Sequence, residues 1–114
     1  MIDKELFKGC SKTVVLRLLM SASMHGYEIS QRLKKLSEQK LELTEGTLYP
    51  LLHSLEADGY ISSSWDKTTL KRKRKIYCIT TKGKALLKQR TKEWKEFLST
   101  MEVLLPTKRI RSDG

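Results

Sequence analysis

Between about Asp3 and Ser23, Phe7, Cys10, Val14 and Leu18 recur on one helical stripe, with Val15, Leu19 and Ala22 on a second stripe beside it. So broad an apolar surface predicts a helix buried on two sides. Met24, His25 and Gly26 interrupt the pattern, after which Ile29, Leu33 and Leu36 return at helical spacing among Glu28, Gln31, Arg32, Lys34 and Lys35, a shorter amphipathic helix. A connection around Ser37 to Glu42 leads to Thr44, a good N-cap residue, with Leu43 and Leu48 placed to clasp across the helix start. The third helix then sets Leu48, Leu51, Leu52 and Leu55 on one face, and Gly59 offers its stop. Pro50 is out of place, because a proline beyond the first turn removes a helical hydrogen bond; either Thr47 is the true cap or the helix begins under slight strain.

The pattern changes at Tyr60. YISSSWD alternates Ile61, Ser63 and Trp65 against Tyr60, Ser62 and Ser64, and RKIYCIT from Arg74 is rich in strand formers, so a hairpin is expected. Its loop, KTTLKRK, is too long for a tight turn and contains no glycine; it should project as a basic flap. From Thr80 or Thr81 to Leu105, the spacing of Leu87, Trp94, Leu98, Met101 and Leu105 predicts one long helix. At 1.5 Å per residue it extends about 35 Å, longer than a compact domain of about 80 preceding residues can cover. Its distal apolar face therefore requires another chain. Pro106 ends it, and TKRIRSDG reads as a tail.

Three helices, a strand, a wing, a strand and a long helix make an α+β fold, mainly helical: a winged helix-turn-helix with a long C-terminal dimerisation helix. On this reading residues 1–80 form the DNA-binding domain, with the first helix sharing in the dimer interface. Residues 81–105 form the dimerisation helix and 106–114 a flexible tail.

Composition sharpens the choice of partner. Among 114 residues Lys and Arg outnumber Asp and Glu by 23 to 13, a net charge of +10 that favours a polyanion, either nucleic acid or an anionic membrane. No stretch approaches the length of a membrane span, and the start MIDKELFKGC lacks a signal-peptide apolar run, so a cytoplasmic protein with no membrane partner is expected. Cys10 and Cys78 lie far apart among apolar neighbours, outside any C-x-x-C pattern, and two lone histidines make no metal site. Neither a cofactor nor a metal is expected. The chain has no glycine-rich phosphate loop, no carboxylate pair beside an apolar cleft and no grouping of nucleophile with base, so it is not expected to be an enzyme.

If the leucines of the third helix face the core, Gly46, Tyr49, Pro50, His53 and Ala57 fall on or near the opposite side, which would enter the major groove. Gly46 lets the backbone approach, Thr44, Glu45 and Thr47 stand at the helix start where hydroxyls can donate to phosphates, and Tyr49 and His53 reach phosphates or base edges. That side carries no Arg, Asn or Gln for bidentate base readout, so part of the specificity is expected from DNA shape. The wing run Lys71, Arg72, Lys73, Arg74 and Lys75 would lie along a phosphate strand, with Arg72 suited to a narrow minor groove. The plainer alternative for that run is a solvated hairpin or an import signal. On the long helix, Trp94 either meets its symmetry mate as plain dimer core or lines a flat pocket for a planar aromatic effector. Phe7, Val14 and Val15 are candidate neighbours in that pocket or interface, with Phe97, Leu98 and Met101 beside Trp94.

The segments HGYEISQRL, EGTLYPLLHSLEADGYISSSW and RKIYCITTKG, in that order and closely spaced, resemble the PadR family of bacterial transcriptional regulators across about Ser11 to Leu105. The single helix after the wing is similar to the smaller subfamily. The resemblance implies a homodimeric repressor on a palindromic operator in double-stranded DNA, released in several members by phenolic, drug-like or other aromatic compounds. The wing departs from the common pattern: Leu70, Lys71, Arg72 and Lys73 stand where relatives often carry glycine.

Overall fold

The structure, a computed structural model, describes residues 1–67 and 74–106. Its elements are α1 (Lys4–Lys8), α2 (Ser11–Ser21), β1 (Met24–His25), α3 (Gly26–Leu36), α4 (Glu45–Ala57), β2 (Ile61–Asp66), β3 (Arg74–Ile79) and α5 (Thr81–Leu104). The three strands form one antiparallel sheet in the order β1-β3-β2.

The expected first helix is two. Asp3 caps α1 by accepting from the Glu5 amide at 2.8 Å, and the chain turns at Gly9 and Cys10, where the Cys10 amide bonds to the Phe7 carbonyl at 3.0 Å. The turn preserves the helical phase, so Phe7 still reaches the core alongside Val15, Leu18 and Leu19 of α2. Pro50 finds its resolution too. Thr44 is the cap, since its carbonyl takes the Leu48 amide at 2.8 Å, and Pro50 lies inside α4 past the first turn. The carbonyl of Gly46, four residues earlier, loses its helical partner, and both residues lie exposed, where water replaces it.

Sixteen apolar side chains from Phe7 to Leu87 make one core, with Leu16, Ile29, Leu48, Leu52, Leu55 and Ile61 almost wholly buried. Gly59 (φ +81°) ends α4: its amide bonds to the Glu56 carbonyl and that of Tyr60 to the Leu55 carbonyl, a Schellman pair that delivers the chain into β2. Thr80 fastens α5 to the same corner, accepting from the Gly83 amide at 3.1 Å and donating to the Gly59 carbonyl at 2.7 Å. Gly83 admits no side chain, because a Cβ there would sit 2.0 Å from the Tyr60 carbonyl oxygen.

Beyond Leu87, α5 leaves the core. Its 24 residues run about 36 Å. Trp94, Phe97 and Leu98 on the distal half are 41%, 49% and 49% exposed. The molecule accordingly measures 66 × 28 × 21 Å.

Candidate nucleic-acid interface

Helices α3 and α4 form the helix-turn-helix. Their connection takes a tight course, with Glu38 and Gln39 at φ 52° and 67°, and the Gln39 amide bonds back to the Lys34 carbonyl at 2.8 Å. The leucine face of α4 is buried, so the helix turns outward Gly46, Tyr49, Pro50, His53 and Ala57, all exposed, with Thr44, Glu45 and Thr47 exposed at its start. Glu45, Tyr49 and His53 share an open cleft of about 660 Å³ with His25, Gly26 and Tyr27 at the start of α3 and Arg74, Lys75 and Tyr77 on β3. Thr44 and Thr47 open instead onto a second groove, of about 450 Å³, beside the N-terminal segment.

Tyr49 owes its position to a glycine. A Cβ at Gly26 would lie 2.9 Å from the Tyr49 hydroxyl oxygen, so the ring rests over the first residue of α3 only because no side chain stands there. Lys75 is drawn sideways, its Nζ 5.5 Å from the ring centre of Trp65, whereas Arg74 is exposed. Lys71, Arg72 and Lys73 lie outside the described residues.

Residue order shows His25 only as part of the break before the second helix, yet it lies in this cleft. His25 bridges two carboxylates: Nε2 lies 2.8 Å from Asp66 Oδ2, and Nδ1 contacts Glu28 Oε1, which also accepts the His25 amide at 3.0 Å. The contact with Glu28 foremost, and the one with Asp66, raise the His25 pKa against an opposing effect of burial. Glu28 is lowered, first by the hydrogen bonds from His25 and to a smaller degree by Arg74. Burial pushes the phenol of Tyr77 up. Glu28 was legible as the third residue of a helix cap, but nothing in the sequence links His25 to Asp66. No group of three or more metal-ligating side chains is suitably placed among the described residues.

The remaining candidates separate. Phe7 and Val15 are 6% and 0% exposed and belong to the core of the chain itself, and Val14 packs half-buried against that core. Trp94 stacks on Phe97, ring centres 5.4 Å apart, in an apolar row continued by Leu98 and the half-buried Met101. Arg90, the cation one turn before Trp94, is paired with Glu93 at 3.2 Å.

A helix-turn-helix with an outward-facing second helix, a three-stranded sheet and a basic hairpin beside it is a winged-helix nucleic-acid-binding domain. Residues 15–89 match the Transcriptional regulator PadR-like family, and the chain belongs to it. It is similar to a transcriptional regulator from Clostridium thermocellum, 30% identical with a TM-score of 0.85, covering 92% of this chain and 99% of that one. A PadR-like transcriptional regulator from Bacillus cereus is 28% identical, TM-score 0.78, over 92% of this chain and 100% of the other. Transcriptional regulator Rv3488 of Mycobacterium tuberculosis is 32% identical over 84 residues, 74% of this chain and 75% of that protein. The protein is therefore a DNA-binding transcriptional regulator and not an enzyme. Among its described residues no helix is long and apolar enough to cross a membrane.

Proposed function

We propose that the protein is a homodimeric repressor that binds a palindromic operator and is released by a small aromatic or drug-like effector. The observation that carries this reading is the apolar row on α5, half exposed from Trp94 to Leu98 and continuing past the reach of the chain's own core. A second copy laid along it removes that surface from water and holds two α4 helices at a fixed spacing, as successive major grooves of one duplex require. Residues 1–80 then act as the reading head and 81–105 as the clasp, in the cytoplasm with the genome. Each α4 presents Gly46, Tyr49, Pro50 and His53 to the groove, with Thr44, Glu45 and Thr47 at the helix start, while Arg74, Lys75 and the wing residues Lys71, Arg72 and Lys73 follow the phosphates. The stacked Trp94 and Phe97, facing their symmetry mates, offer a flat site for a planar ligand whose insertion alters the spacing of the heads.

Footprinting of the DNA upstream of its own gene, with and without candidate aromatic compounds, tests operator and release together. The expected result is a two-fold symmetric footprint preferred by about 10³ over random DNA. Binding to that duplex should weaken with a slope of about −7 in log K against log salt, because a dimer neutralises about 8 phosphates at about −0.9 each. Equal affinity for random duplex would leave an architectural DNA-binding role, and a protein that stays a single chain even with its target present would remove the dimer.

A further inference from the structure

We propose that His25 is a positioning residue for DNA binding: as an imidazolium bridging Glu28 and Asp66, it fixes the stem of the wing to the start of the helix-turn-helix, and binding weakens when the ring loses its proton. The inference rests on the DNA face assigned above and concerns what holds that face in shape.

Strand register sets up the contact. His25 lies opposite Ile76, and Asp66 opposite Arg74. Paired residues and alternate residues of a strand point to the same side, so His25 and Asp66 share a face although they sit on opposite edges of the sheet, with β3 between them. The imidazole spans that gap and touches Glu28 at its other end, joining β1, β2 and α3 through one ring. Asp66 is the last residue of β2 before the wing, and its side chain is 7% exposed. Whatever fixes Asp66 fixes where the wing departs.

The chemistry requires the charged ring. Carboxylate oxygens only accept hydrogen bonds, and a neutral imidazole has one N–H; it would satisfy one carboxylate and turn a lone pair towards the other. The imidazolium donates to both. Among the described residues Arg74 shares the face of His25 and Asp66, and Tyr27 of α3 with Glu45, Tyr49 and His53 of α4 line the cleft onto which His25 opens, whereas Lys75 and Tyr77 of β3 point to the other face of the sheet. Arg74 lowers Glu28 slightly, the smallest of the effects on that carboxylate.

The direction of the pH effect follows. His25 has a raised folded pKa, so its contribution is complete below the unfolded value of about 6.5 and is lost as pH rises through the folded value. Glu28 has a lowered one, so its contribution is present above about 4.3 and is lost as pH falls through the folded value. Around neutrality the histidine is the group that titrates. Its deprotonation leaves one of the two carboxylates facing a bare ring nitrogen and breaks the bridge between α3 and the stem, whereas nearby phosphates favour its proton.

The test uses the full chain and a short duplex recovered by selecting random DNA on the wild-type protein. Between about pH 6 and about pH 9 wild-type affinity should fall about tenfold per protomer as the ring loses its proton. His25→Gln and Asp66→Asn should flatten that profile. A wild-type slope in His25→Gln overturns the proposal. Should His25→Gln fail to fold, Asp66→Asn, which keeps a hydrogen-bonding partner of the same shape, carries the same decision. NMR titration of the His25 ring gives an answer without DNA: the ring should titrate above its ordinary value in wild type and move down in Asp66→Asn. An ordinary, unmoved value sinks the clamp, while failure of wild type to select any duplex at any pH removes the DNA face and leaves the ring titration to judge the clamp.

Discussion

Helices α4 and α5 carry apolar residues at the same helical spacing and meet opposite fates. In α4 the row Leu48, Leu51, Leu52 and Leu55 is no more than 9% exposed, with α3 and β2 packed against the helix. In α5 only Leu87, near the anchored end, is closed in comparably, and Trp94, Phe97 and Leu98 stand about half in water. Periodicity reports which face of a helix seeks cover and says nothing of where the cover comes from. For α4 it comes from the same chain. For the distal half of α5 no cover comes from the core that the described residues build.

The sharpest way to break this contrast is to cut the same group from each helix. Leu52→Ala removes a side chain with 0% exposure from the centre of the core and should cost about 4 kcal/mol, within the span measured for buried leucines. Chemical denaturation at high and at low protein concentration should both register it. A loss under about 1 kcal/mol would mean that the α4 row is not the centre of the core.

Leu98→Ala should behave differently. At 49% exposure the truncation should leave the unfolding of a lone chain within about 0.5 kcal/mol of wild type. In a two-fold interface the change occurs twice, so a cost of about 1 kcal/mol per side becomes about 2, and the dimer dissociation constant should rise about 30-fold in sedimentation equilibrium. An unchanged association would sever the distal half of α5 from the dimer.

Much of this was legible from residue order alone. The leucine row of α4 and the long α5 each repeat one local signal over many residues, Gly59 is one strong stop signal, and the structure returns all three within a residue or two. What escaped was short or distant. Strand β1 is two residues, Met24 and His25, too few for any period, and exists only because β3 passes beside it. The break at Gly9 and Cys10 left no trace because the turn keeps the phase of the apolar stripe. The alternation in β2 had the right phase but the wrong burial. Trp65, on the core side, overruns the edge of the core and is 55% exposed against Lys75, while Asp66, on the other side, is buried and meets a histidine 41 residues away. On the reading face, Tyr49 and His53 followed from the wheel of α4, but the dependence of Tyr49 on Gly26 is a contact between helices that no pattern within either one encodes.

That contact gives the smallest effect and isolates the outer face of α4 from its inner one. Gly26→Ala introduces one methyl group at a position of ordinary φ, 2.9 Å from the Tyr49 hydroxyl oxygen and 3.0 Å from Cε1. The obstructing atoms are the far end of a half-exposed ring, which can swing outward without disturbing Leu48, Leu51 or Leu52 beneath it. Stability should therefore stay within about 0.5 kcal/mol of wild type. If Tyr49 donates its hydroxyl to the duplex, swinging it away forfeits about 1 kcal/mol, a fivefold weaker complex at unchanged salt slope. Tyr49→Phe, which keeps the ring and removes the hydroxyl, should lose the same amount. Wild-type affinity in both variants would take Tyr49 off the DNA and leave the cleft between α3, α4 and β3 to its histidines and cations, whereas loss in Gly26→Ala alone would assign the contribution to the ring's position and not to its hydroxyl.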